Sequence, residues 1–336
     1  MNRSRVALLL LLVFILSGVV YWFQSTSKVS EEKTAAVQLV DTPNFSADSA
    51  YAYVKQQVDF GPRVPGTNAH QKCQEWIIAK LKSYGLQVST QPFTATNYAG
   101  KVLKGTNIMA QFQPEIGKRI LLAAHWDSRA VADKDSIRKN EPIDAANDGG
   151  SGVGVMIELA RQLSSSSKKP SVGVDFLFFD LEDTGEPHGV ETNVQNTWAL
   201  GSQYWAAHIF PQNYRPFYGI LLDMVGAKGA VFPQEYGSMQ YAPTVVRSIW
   251  SAAADLGFGH LFLQEEGPGI TDDHTAVNEV AKIQMIDIID LRPQAPGSMG
   301  DIFGPYHHRH GDNLSIIDPK TLQAVGQTLL QVLYRE

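Results

Sequence analysis

The chain is nearly without cysteine: Cys73 is the only one in 336 residues. A lone thiol makes no internal bridge, so no disulfide framework holds this fold and the redox compartment stays unread. It falls in a helical pattern at residues 71–84, where a packed thiol is the ordinary reading. Clustered positive charge is missing as well. The net charge is −6 and no run of lysine and arginine breaks the sequence, which excludes the basic field that nucleic acid requires. Internal repeats are absent, and composition does not shift after Phe45. With 44% apolar residues the chain can bury a full core, and residues 45–336 read as one domain.

What is present begins with an address. Met1 to Arg5 carry two arginines, and Val6 to Phe23 form an unbroken apolar stretch of about 18 residues ending in Tyr21-Trp22-Phe23. That length lies between a signal peptide and a membrane-spanning helix. The aromatic cluster suits a membrane interface, and the arginines favour a cytoplasmic N-terminus. With no obvious small-x-small cleavage site, the expectation for residues 1–23 is an uncleaved anchor, with a cleaved signal as the alternative. Either exports the remainder, to a periplasm with inner-membrane attachment on the first reading. Residues 24–44 are polar, show little periodicity and read as a tether.

From Phe45 the pattern alternates. Helical spacing runs through residues 47–58, 68–84, 152–163, 200–208 and 244–256, and through a last helix with Asp318 as N-cap and Pro319 at its first position. Strands are expected at 86–93, 106–112, 119–124, 172–181, 218–223 and 282–289. Such alternation implies an α/β fold: a central mixed, mostly parallel twisted sheet with helices on both faces.

Polar residues gather where these elements end. The apolar run Val172 to Leu181 closes in Glu182-Asp183, two adjacent carboxylates that repel each other and lose hydration unless a cation or substrate group shares their site. His125 and Asp127 follow residues 119–124, and Asn147-Asp148-Gly149-Gly150 opens the next helix. Asp223 ends another strand, Asp272-Asp273-His274 follows a Gly-Pro-Gly turn, and His307-His308-Arg309-His310-Gly311-Asp312-Asn313 precedes the last helix. Alone, each is an ordinary hydrogen-bonded turn residue. Together, carboxylates and histidines at successive strand ends have the composition of a hydrolytic zinc site with one position left open. Ligands of open α/β sheets bind at this edge.

The series resembles the zinc aminopeptidase-like exopeptidases, and within them the glutaminyl cyclases. Phe178-Phe179-Asp180-Leu181-Glu182-Asp183, Asp127-Ser128-Arg129 and Leu221-Leu222-Asp223-Met224-Val225-Gly226-Ala227 carry the resemblance to cyclases. Thr271-Asp272-Asp273-His274 and Met285-Ile286-Asp287-Ile288-Ile289 are similar to the bacterial branch. The resemblance implies a single zinc held by Asp148, Asp183 and His308, with Glu182 as general acid/base and Asp223 and Asp272 as catalytic hydrogen-bonding partners. It implies N-terminal glutamine of peptides or proteins as substrate: the α-amine attacks the γ-amide carbon, zinc polarises the γ-carbonyl, and Glu182 passes a proton to departing ammonia. Animal cyclases have tryptophan where this chain has His307, and a tryptophan soon after the acidic pair where this chain has a longer loop reaching Trp198. His125, Trp126, Trp198 and His307 are therefore the expected pocket residues, with residues 185–196 and 292–304 as its rim. Two rivals remain. A two-zinc aminopeptidase would add a second metal on His125 and Asp223, with Asp148 bridging; a non-catalytic receptor or scaffold would lack ligands that are intact here. Trp76, Trp205 and Trp250 read as core, and His70, His208 and His260 as surface or packing residues.

Overall fold

A computed structural model describes residues 39–292 and 301–336. The expected anchor and most of the tether lie outside the described residues. Among the described residues no helix is long and apolar enough to cross a membrane. Ordered contacts begin a few residues before Phe45: Lys168 donates to the Asp41 carbonyl at 2.9 Å and Gln327 to Thr42 Oγ1 at 3.0 Å.

The elements, in chain order, are α1 (Ala47–Asp59), α2 (Asn68–Ser83), β1 (Gln87–Thr96), β2 (Val102–Phe112), β3 (Arg119–His125), α3 (Gly150–Ser165), β4 (Gly173–Phe179), α4 (Leu200–Ala207) and β5 (Tyr218–Asp223). They continue with β6 (Phe232–Gln234), α5 (Tyr236–Tyr241), α6 (Pro243–Asp255), β7 (Phe262–Glu266), α7 (Asp273–Glu279), β8 (Met285–Ile289) and α8 (Pro319–Arg335). Six strands form one sheet in the order β1-β2-β4-β3-β5-β8. The β4–β3, β3–β5 and β5–β8 pairs are parallel, and the β1–β2 hairpin joins antiparallel at one side. This is the mixed α/β sheet that the alternation of elements implies.

Period-2 alternation sends successive strand residues to opposite faces. Ile120, Leu122 and Ala124 of β3, with Phe176 and Phe178 of β4, face a large apolar cluster shared with α1, α2, α3, α6 and α8. Leu121, Ala123, Leu177 and Phe179 face a smaller one under α4 and α7. Every residue of β3, β4 and β5 is buried, which is what covering both faces requires of central strands. Each large side chain so buried contributes about 1.5–3 kcal/mol. A Cβ at Gly152 would overlap the Leu222 carbonyl, so glycine there lets α3 lie against β5.

Some boundaries differ from the periodicity. The hairpin is longer than residues 86–93 and 106–112, because pairing runs from Gln87↔Gln111 to Thr96↔Val102. Asn97 Oδ1 closes its turn by accepting from the amides of Ala99 and Lys101. The last strand starts at Met285 rather than Lys282, whose left-handed backbone (φ 56°) does not continue a ladder. Short β6 and β7 pair with each other in parallel outside the main sheet, and Pro233 hides β6 from a propensity reading. Trp205 and Trp250 are fully buried and Trp76 partly so, while burial pushes the Cys73 thiol up to about 12.

Candidate metal centre

The carboxyl ends of the parallel strands supply the site. His125 is the last residue of β3 and Asp223 the last of β5; Glu182 and Asp183 follow β4. Asp148 precedes α3 across Gly149, whose φ of 74° and crowding against His125 favour glycine. Asp272 is the N-cap of α7, and His307 and His308 lie on the loop before the 3-10 turn Leu314–Ile316. Leu181, Met224 and His308 all take left-handed backbones, at φ 59°, 50° and 56°. Such conformations cost of order 1–3 kcal/mol in a non-glycine residue, and here they adjoin or carry the site's polar groups.

Two carboxylates approach the His308 ring. His308 Nε2 lies 3.4 Å from Asp183 Oδ1 and 3.8 Å from Asp148 Oδ2. Ligand bonds of about 2.0–2.2 Å in a tetrahedron set neighbouring donors about 3.3–3.6 Å apart, so the His308–Asp183 spacing suits zinc and the His308–Asp148 spacing is slightly wide of it. The donor set, one imidazole and two carboxylates, suits it as well. Asp183 Oδ2 is buried with no hydrogen-bond partner, a free oxygen where a cation would be held. His307 also brings a ring nitrogen near Asp148 and His308. Its Nδ1 is 2.6 Å from the Lys134 ammonium, whereas Asp183 offers a carboxylate with one oxygen unpartnered.

The electrostatics agree. Burial, then the neighbouring His307, hold His308 well below its ordinary value, in the neutral form that binds metal. Burial would raise Asp148, but its bond to His125 wins and keeps it ionised. Burial and the charge of Asp148 push Asp183 well up, against the pull of Arg129, and a cation at the site would offset that cost. Burial also raises Glu182 well above the usual carboxylate range, and Asp223 up to about 7. Asp223 can thus carry a proton near neutrality, and Glu182 holds one more readily than an ordinary carboxyl.

Several supports were not singled out from the sequence. Asp127 accepts the amides of both Glu182 and Asp183, at 3.1 and 3.2 Å, and sits 3.4 Å from His125 Nδ1. Arg129 donates to Asp183 Oδ1 at 3.0 Å and to Asp133 at 2.6 Å. The Asp127-Ser128-Arg129 motif was the only signal of either role, since a buried arginine is recognised by partners distant in sequence. Asp272, His274 and Asp287 form a further buried group, with the His274 ring 3.5 Å from Glu235 and 3.8 Å from Asp287.

The site opens into a cavity of about 580 Å³, walled by Trp198, His307, Phe303, Glu182, Asp223 and Asp272. Trp198 stacks parallel to His308, centroids 5.7 Å apart, and the Arg129 guanidinium lies over the Trp198 ring, 4.6 Å from its centroid. Residues 186–190 line the rim as expected of loop 185–196. Of the second rim segment, residues 293–300 lie outside the described residues, while Phe303 lines the cavity. Two pocket expectations need correction. Trp126 extends the β3 ladder by one residue through its amide bond to Phe179, so alternation turns it inward with Ala124. There it is fully buried, donates to the Thr106 carbonyl and stacks on His70 at 4.2 Å. His125 does not line the cavity either; it lies beneath, with Nε2 3.0 Å from Asp148 and 3.3 Å from Asp223. Burial would lower it, but bonds to Asp127, Asp148 and Asp223 raise it well above its ordinary value. His70 is buried against Asp180 at 2.8 Å, whereas His208 and His260 are exposed.

Residues 107–333 match Peptidase family M28. The chain belongs to peptidase family M28. This M28 chain is similar to a solved glutaminyl cyclase of Tannerella forsythia, at 47% identity, TM-score 0.83, and coverage of 88% of this chain and 100% of that one. It is similar to a Zn-dependent exopeptidase of Parabacteroides distasonis, at 45% identity, TM-score 0.84 and the same coverage. The chain spans about half the length of the curated relatives it matches. Among these is aminopeptidase YwaD of Bacillus subtilis, 27% identical over 78% of this chain and 48% of that one. The resemblance to bacterial glutaminyl cyclases within a zinc aminopeptidase-like fold therefore stands, and the M28 chain is an enzyme of a zinc-dependent family.

Proposed function

We propose that this M28 enzyme cyclises N-terminal glutamine of peptides or proteins to pyroglutamate, releasing ammonia, with one zinc ion held by Asp148, Asp183 and His308. The observation that carries the reading is the place of Glu182: a proton-carrying carboxyl on the cavity wall, one residue from the metal donor Asp183. Similarity to glutaminyl cyclases along most of the chain supports it.

The reaction needs little from the protein beyond placement. The α-nitrogen of glutamine bonds to its own γ-amide carbon, and the bond from that carbon to the amide nitrogen breaks. When bound, zinc supplies Lewis acidity at the γ-carbonyl and stabilises the charge developing on its oxygen. Glu182 accepts the proton shed by the α-amine and delivers it to the departing nitrogen, which leaves as ammonia. Asp223 and Asp272 line the same cavity and hold the α-amine toward the carbon it attacks. Trp198 and His307 wall the side chain. Holding the chain end folded contributes much of the acceleration, since well-oriented intramolecular reactions gain about 7–11 kcal/mol.

A second reading, a two-zinc aminopeptidase, rests on one observation: donor atoms of His125, Asp148 and Asp223 lie within 4.8 Å of one another. Mass spectrometry of a Gln-initiated peptide after incubation separates the two. Loss of one ammonia, with one zinc per chain, is the expected result. Arylamine release from a Leu-anilide, with two zinc ions per chain, would establish the peptidase instead. The reading extends to location: residues 6–23 export the enzyme, and alkaline phosphatase fused after residue 44 should be active. An inactive fusion in cells that export a control would refute export.

A further inference from the structure

Three consecutive amides of the first ligand loop end on one distant residue. Ala146 donates to the backbone carbonyl of Asp312 at 3.4 Å, Asn147 to its Oδ1 at 2.7 Å, and Asp148 to its Oδ2 at 3.0 Å. Asp312 is fully buried, as are Ala146 and Asn147, with Asp148 3% exposed. Water therefore offers these amides no substitute partner. Asp312 also lies four residues after His308, in the same tight loop, where its own amide donates to Arg309 at 3.0 Å.

The bonds tie together two loops far apart in sequence, close to where Lys134 and Asp135 also bond to residues 308–310. Asp148 precedes α3, His308 belongs to the loop before α8, and their donor atoms stand 3.8 Å apart. Asn147 carries the tie onward, since its Oδ1 accepts the Gly226 amide at 2.7 Å, three residues beyond Asp223. A neutral acceptor would serve a loop that needed only support. A further buried carboxylate beside Asp148 adds repulsion and desolvation, which a cation at the centre offsets. A carboxylate also offers two oxygens at the separation of successive amides.

We infer that Asp312 is a positioning residue: it fixes Asp148 against His308 and thereby sets the affinity of the metal centre. The inference rests on the ligand assignment made above. Partners of this kind, one bond removed from a metal, typically change affinity about ten- to hundredfold when altered.

The test measures zinc dissociation by chelator competition in the full chain, with the visible spectrum of the cobalt-loaded protein and the Tm of the metal-free one. Asp312→Asn should weaken zinc binding about ten- to hundredfold and shift the cobalt bands. The control is Asp175→Asn, which breaks a buried pair with Arg119 (2.6 Å) in β4, away from the site. It should lower Tm while leaving zinc affinity and the cobalt spectrum unchanged. Wild-type affinity in Asp312→Asn, or an equal loss in Asp175→Asn, would overturn the inference. Should Asp312→Asn fail to fold, Asp312→Glu keeps the charge but displaces both oxygens by a methylene. Its zinc binding should weaken likewise, and wild-type affinity there would overturn the inference too. A wild-type chain that binds no zinc would instead remove the ligand assignment, a result distinct from equal binding by wild type and variant.

Discussion

Arg129 Nη1 donates to Asp183 Oδ1 across 3.0 Å and leaves Asp183 Oδ2 without a partner. One oxygen of the carboxylate is thus fixed by the protein, near His308, and the other is left free. Arg129 is 1% exposed, and its remaining donors go to Asp133 and to loop carbonyls of Asp183, Gly185 and Glu186.

Replacing this cation should be expensive. Arg129→Met strands two buried carboxylates, and losing one partner of a buried pair costs about 3–5 kcal/mol. Chemical denaturation of the metal-free protein should show a loss of that order. A loss below about 1 kcal/mol would mean that Asp183 and Asp133 do not depend on Arg129.

Glu182→Gln keeps shape and removes the proton carrier. Turnover of a Gln-initiated peptide should fall by about 10²–10⁴, the usual worth of general acid–base catalysis, with zinc content unchanged. Elemental analysis showing zinc lost in this variant would make Glu182 a ligand.

Gly185 packs so closely under Trp198 that an added Cβ would overlap the indole. Gly185→Ala should therefore push Trp198 out of its parallel stack with His308 and raise KM more than it lowers kcat. Tryptophan emission should change with it. An unchanged KM would remove Trp198 from the substrate wall.

A pH dependence follows from Glu235. Burial would raise this carboxyl, but its bonds to His274 and Ser238 hold it down to about 2. Because the folded value lies below the ordinary one of about 4.3, its stabilisation is present above that value and is lost as pH falls toward about 2. The Tm difference between wild type and Glu235→Gln should be widest above about pH 5 and close on acidification. A constant difference between about pH 6 and pH 3 would contradict this.

Much of the frame was legible because it is written locally. The apolar run ending at Phe179 and the strand Tyr218–Asp223 are set by short-range pattern, and so are the polar residues closing them. The positions Asp148, Asp183 and His308, far apart in sequence, came from a resemblance, and the structure puts His308 Nε2 3.4 Å from Asp183 and 3.8 Å from Asp148. Trp126 was misjudged because adjacency to His125 suggests the cavity, while one more residue of strand pairing reverses the side chain. The partners of Arg129 and Asp312 were invisible for a different reason. Each is defined by amides or carboxylates that only tertiary contact assembles.

Asp127 has a consequence for redesign. It grips the main chain of Glu182 and Asp183 through both amides and leaves their side chains untouched. This hold on the backbone does not depend on what the two side chains are, while the Asp183 side chain answers separately to Arg129. An amide, an imidazole or a shorter acid set there would start from the same two points in space. Position 182 is thus a socket into which other chemistries can be fitted, whereas any replacement at 183 must still satisfy the Arg129 guanidinium.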